Sequence, residues 1–174
     1  MGITDRKKAL ILDAAFGCFS VHGYTKSSFK DVARKAGISR ASLYTYFKNK
    51  RDLFITMNRE IDAGHFRKSA EILSSTLPDR EKVMSIIDEW IVRPYIEIQR
   101  TPSASGWLDE LVSISKETER NFRELFIKSL EPLTGEARAE VIVLSIRGLM
   151  DDRPRVELLN QRIQILVNGL VETS

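Results

Sequence analysis

Ser28-Phe-Lys-Asp-Val-Ala-Arg-Lys-Ala-Gly-Ile-Ser-Arg-Ala-Ser-Leu-Tyr-Thr-Tyr46 holds two helical runs of about two turns each, separated by Ala36-Gly37-Ile38-Ser39. Ser28 and Asp31 form a Ser-x-x-acid capping box, which starts a helix that runs to about Lys35. Gly37 supplies a positive φ for the turn, and Ser39 is placed to cap the next helix, about Arg40 to Tyr46. Two short helices joined by a glycine-containing turn describe a helix-turn-helix, whose second helix presents its first residues to base edges in the major groove. Val32, Ala33, Ile38, Leu43 and Phe47 are the apolar contacts that fix the angle between the two, so they are assigned to the core. Arg40, Ala41, Ser42, Tyr44, Thr45 and Tyr46 are left facing outward. Arg40 has the fork that pairs guanine, Ser42 and Thr45 suit several base edges, and Ala41 fits a thymine methyl. Lys30, Tyr46, Lys48 and Lys50, with the backbone N–H groups that open the flanking helices, are placed for phosphates.

Upstream, Ile11, Ala14, Ala15, Cys18 and Phe19 make one apolar stripe of a helix from about Asp5 to His22, closed by Gly23, with Tyr24 packing back. Downstream, Asn49-Lys-Arg-Asp52 opens a long helix through Leu53, Met57 and Ile61, reaching about Leu73. Strand-like alternation is nearly absent, so the chain is expected to be all-α with about nine helices. The division expected is a helix-turn-helix domain over 1–52 and a helical ligand-binding and dimerisation domain over 53–174. Charge follows that division. Residues 1–51 carry eleven Lys/Arg against three acids, a net +8, which leaves −5 for the remainder of a chain whose total is +3. A basic module joined to an acidic one points the first part toward a polyanion. Cys18 has no partner for an internal disulfide and is read as core packing. The basic start reads as an amphipathic helix and not a leader, and no apolar run is long enough to span a membrane, so the cytoplasm is expected.

Phe29 to Phe54, with Ile11-Leu-Asp-Ala-Ala-Phe upstream and His22-Gly23-Tyr24 between, closely resembles the signature of TetR-family repressors. The resemblance covers about residues 7 to 54. It implies that Tyr44 contacts DNA, that Tyr46 and Lys50 hold phosphates, and that Lys30, Arg40, Ala41, Ser42 and Thr45 lie at the DNA surface. Ser28 is carried over as a cap that also touches phosphate. The resemblance further implies a homodimer on a palindromic double-stranded operator, loosened by a small-molecule effector, although some members activate.

Beyond residue 54 the reading rests on periodicity and on Pro78, Pro102, Pro132 and Pro154 as breaks. Helices are expected near 79–99, 104–114, 116–131, 135–150 and 155–172, with Pro94 bending the first near Arg93. The last two are rich enough in apolar residues to bury two faces, and Ser145 and Gly148 allow a close backbone approach. Val141, Leu144, Ser145, Gly148, Leu159, Ile163, Leu166 and Leu170 are therefore the candidate dimer residues of a four-helix bundle. A ligand pocket among the middle helices draws candidates from Met57, Ile61, His65, Trp90, Trp107, Phe122 and Phe126. Each of these also suits an ordinary core. Two histidines and one cysteine give no metal-ligand spacing, and no cofactor is expected. Phosphate-loop, nucleophile-elbow, His-Glu-x-x-His and Cys/His signatures are all missing, so an enzyme is not expected. A regulator without a small-molecule ligand stays open as the second reading. It would fill its middle helices with its own side chains where a ligand-gated one would enclose a cavity.

Overall fold

The computed structural model describes residues 3–100 and 116–171, and among them the only regular elements are helices. They are α1 (Ile3–His22), α2 (Phe29–Lys35), α3 (Arg40–Tyr46), α4 (Lys50–Leu73), α5 (Asp79–Ile87), α6 (Arg93–Gln99), α7 (Lys116–Thr134), α8 (Glu136–Leu149) and α9 (Val156–Leu170), with a π-helical turn, Asp88–Val92, joining α5 to α6. The described residues form two compact units. One runs to Ile61 and includes those of the stretch 98–119; the other is drawn from 62–97 and 120–171. The division falls inside α4.

The first unit follows from local chemistry. Gly23 ends α1 at a φ of +77° and donates to the Phe19 carbonyl at 2.8 Å. The Ser28 hydroxyl accepts from the Asp31 N–H, while the Asp31 carboxylate accepts from the Ser28 N–H and hydroxyl. Those bonds hold the Asp31 carboxyl below its ordinary range. Gly37, at a φ of +67°, turns the chain into α3, which Ser39 caps through the Ser42 N–H. Asn49 accepts from the Asp52 N–H to start α4, and Asp52 accepts in return from the Lys48 N–H. Ile11, Ala15, Phe19, Val32, Leu43, Phe47, Leu53 and Phe54 are buried in one core, with Ile38 half-buried against it.

The second unit has its own core, built on Val83, Ile87, Trp90, Tyr95, Phe126, Leu130, Ile142, Leu159, Ile163 and Val167. The stretch 79–99 is not one α-helix: a π-helical turn, Asp88–Val92, ends next to Arg93, where Pro94 was expected to disturb it. Pro94 has no N–H, and the turn before it widens so that the Arg93 N–H reaches the Asp88 carbonyl, five residues back. α7 passes through Pro132 and stops at Thr134, three residues beyond the expected end, because Gly135 at φ +77° is the true break. Tyr95 donates its hydroxyl to the Pro154 carbonyl at 2.7 Å, and Arg162 grips Asp152 through both nitrogens while also donating to the Leu149 carbonyl. Together they fix the α8–α9 turn. The helix expected near 104–114 lies outside the described residues.

Candidate nucleic-acid interface

The polar face of α3 is presented as the spacing of its residues requires. Leu43 alone points fully inward, while Arg40, Ala41, Ser42, Tyr44 and Thr45 are exposed and Tyr46 is half-buried. This face is already ordered by contacts among its own members. Arg40 donates to the Tyr44 hydroxyl at 3.1 Å, and its guanidinium lies 5.6 Å from the centroid of the Tyr44 ring. The Tyr44 ring packs 4.9 Å from Phe29, the first residue of α2. Ser39 donates to the Ser42 hydroxyl at 2.9 Å. Thr45 spends its hydroxyl proton on the Ser42 carbonyl at 2.7 Å, which leaves that oxygen as an acceptor toward solvent. Ser28 and Lys30 at the start of α2, and Lys48 before α4, are also exposed.

Lys50 departs from the expected arrangement. Its ammonium donates to the Tyr24 carbonyl at 2.9 Å and the Ser27 carbonyl at 3.0 Å, and it sits 4.1 Å from the centroid of the Tyr24 ring. The lysine stem is long enough to reach those carbonyls of the loop between α1 and α2. Lys50 is thus a clamp between that loop and α4, and the phosphate role inferred for it competes with bonds it already makes. Sequence reading also missed Ser27, which is buried and donates to the Gly23 and Cys18 carbonyls at 2.8 and 3.1 Å. A serine beside a loop carries no signal of that in its neighbours. Cys18 is buried, and burial pushes its thiol above the ordinary range.

Residues 11–57 match the family described as "Bacterial regulatory proteins, tetR family". The helix-turn-helix module belongs to the TetR family. Relatives agree with it. The chain is 24% identical over 163 residues, 92% of its length and 78% of the relative's, to the HTH-type transcriptional repressor AcnR of Corynebacterium glutamicum. It is 29% identical over 79 residues to the fatty acid metabolism regulator protein of Bacillus subtilis, a match that spans 45% of this chain and 41% of that protein. The YhgD regulator of the same organism, 37% identical over 79 residues, is likewise matched over 41% of its length. A TetR transcription regulator from Haloarcula marismortui has the same fold, with a TM-score of 0.75 at 18% identity, over 97% of this chain and 100% of that one. So does the regulator FadR from Bacillus subtilis in complex with stearoyl-CoA, at a TM-score of 0.61 and 20% identity, over 92% and 98%.

The candidate effector residues fall into two groups. Met57 and Ile61 lie in or against the first unit's core. His65, Trp90, Phe122 and Phe126 meet in the second unit: Trp90 stacks on Phe126 at 5.3 Å, meets the edge of Phe122 at 5.3 Å, and lies 5.4 Å from His65. The Trp90 N–H donates to the Ser69 hydroxyl at 2.9 Å, and His65 pairs with Glu89 at 3.0 Å. Trp107 lies outside the described residues. Among the candidate dimer residues, Leu159 and Ile163 are fully buried in the chain's own core and offer no surface to a second copy. Val141 and Leu144 are about half exposed, Gly148 is exposed, and Ser145, Leu166 and Leu170 are half-buried. Leu158 and Ile165 were not singled out in the sequence, yet they are exposed, Ile165 at 72%. No helix of the described residues is long and apolar enough to cross a membrane.

Proposed function

We propose that the chain is a homodimeric, cytosolic repressor that reads a palindromic DNA operator through α3 and leaves it when a small molecule occupies the second unit. The observation that carries this reading is the exposed face of α3: the four hydrogen-bonding side chains of Arg40, Ser42, Tyr44 and Thr45 and the methyl of Ala41, set on a buried scaffold and aimed outward. The basic excess of the first 51 residues supplies the attraction for phosphate. Val141, Leu144 and Gly148 on α8 and Leu158 and Ile165 on α9 supply the apolar surface for a second copy. A sequence relative named a repressor, and a neighbour of the same fold that carries stearoyl-CoA, support the regulatory half. α4 is the covalent route between the two activities, with Leu53, Phe54 and Met57 in the first core and Asp62, His65 and Ser69 in the second unit.

Selection of operators from a random DNA library tests the reading. Recovery of a palindrome with half-sites about one helical turn, 34–36 Å, apart is the expected result. Sequence-blind, salt-sensitive binding alone would remove the operator from the proposal. A regulator with no small-molecule ligand is the second reading, favoured by the ring stack of Trp90 and Phe126, which fills the centre of the second unit.

A further inference from the structure

Two hydrogen bonds on the outward face of α3 can run in only one direction. A guanidinium has no acceptor, so the 3.1 Å contact between Arg40 and Tyr44 is a donation to the phenol oxygen. A carbonyl has no proton, so the 2.7 Å contact between Thr45 and the Ser42 carbonyl uses the Thr45 hydroxyl proton. These bonds give the face a polarity. Tyr44 accepts from within the helix and keeps its phenolic proton to give, and Arg40 can only give, so that pair presents donors. Thr45 has spent its proton and presents an acceptor.

The major groove sorts bases by the same property. Its hydrogen-bond donors are the exocyclic amino groups of adenine and cytosine, while guanine O6 and N7, adenine N7 and thymine O4 all accept. The Thr45 oxygen therefore pairs with an amino group. Ala41 decides which one. It stands one turn before Thr45 on the same side of α3, and both are exposed. Its methyl finds an apolar partner in the thymine methyl. An A·T pair carries an amino group and a methyl on its groove edge, whereas a G·C pair carries the amino group without the methyl. We propose that Ala41 and Thr45 together read an A·T pair, Thr45 accepting from the adenine amino group and Ala41 packing on the thymine methyl, next to the acceptor-bearing base that Arg40 and Tyr44 address. The proposal rests on the operator reading above and names one base pair within that operator.

The test selects operators from a random DNA library with the full chain, wild type and Thr45→Val side by side at one salt concentration. Valine is close to threonine in size and lacks the acceptor. A wild-type half-site with one position held as A·T is expected, and Thr45→Val should relax the preference at that position alone by about three- to tenfold, the net worth of one hydrogen bond. Thr45→Ser keeps the oxygen and should keep the preference. Replacing the adenine by unsubstituted purine, which has no amino group, should weaken wild-type binding by the same factor and leave Thr45→Val unaffected. Relaxation at a position held as G·C, or a preference in Thr45→Val equal to that of the wild type, overturns the A·T assignment and leaves a sequence-specific regulator standing. A uniform loss across all sequences also overturns it and moves Thr45 to a phosphate. Sequence-blind selection by the wild type overturns the operator itself.

Discussion

Lys50 is where a contact residue and a structural residue are hardest to tell apart. With two carbonyls and a ring already around its ammonium, Lys50→Ala is expected to lower folding stability by about 1–2 kcal/mol, since hydrogen bonds from charged groups are the stronger kind. Arg40→Ala should leave the melting temperature unchanged and weaken operator binding by about 1–3 kcal/mol, relaxing preference at one base pair. Thermal unfolding and binding titrations on the two variants separate the roles. Asp62 gives the second prediction at this scale. Its folded pKa, about 6, lies above the ordinary carboxyl value of about 3.9, so the folded state holds an extra proton between those values. Its contribution to stability is present below about pH 4 and lost as pH rises through about 6, an effect of at most about 3 kcal/mol. Burial raises the pKa, against the opposing pull of the Asn121 amide on α7 and of His65 on α4. Urea midpoints at pH 4.5 and 7.5 should therefore fall less in Asp62→Asn than in wild type, and the difference isolates Asp62 from the neighbouring pair. A slope that survives the substitution would assign it elsewhere.

At the scale of elements, the N-terminal helices were legible because their signals are local. A capping box, a positive-φ glycine and a two-turn apolar rhythm each act within four residues, and each sits where it was expected. Gly37 offers a direct check. Nothing lies within 4 Å of where its Cβ would be, so Gly37→Ala meets only the backbone penalty of the left-handed region, about 1–2 kcal/mol, and no clash. Circular dichroism of the variant should show the helices intact and the melting temperature lowered. What the sequence hid is tertiary. A proline announces that a helix must adjust, but not that a widened turn one step earlier will absorb it. The Trp90–Ser69 bond joins residues 21 apart, and no spacing rule foretells it. Apolar residues on α9 read alike, and only packing shows that Ile163 faces inward and Ile165 outward.

For the molecule as a whole, that last distinction separates folding from assembly. Leu144→Arg with Ile165→Arg changes two exposed side chains, so the chain should stay folded but sediment as a monomer and lose operator affinity. Ile163→Ala removes buried volume and should cost about 2–5 kcal/mol. If the arginine pair left a dimer of unchanged affinity for DNA, the α8–α9 face would not be the interface.

The contact between Arg40 and Tyr44 has a bearing on how the proposed repressor would acquire new operators. Because the guanidinium is posted on the phenol before any base arrives, its direction belongs to the pair and not to the arginine. A change at position 44 alone re-aims position 40, and a change at 40 alone strands the phenol. The effects of the two substitutions on base preference are therefore not additive. A lineage drifting from one target sequence to another has to cross an intermediate that reads neither site well, unless both residues change together.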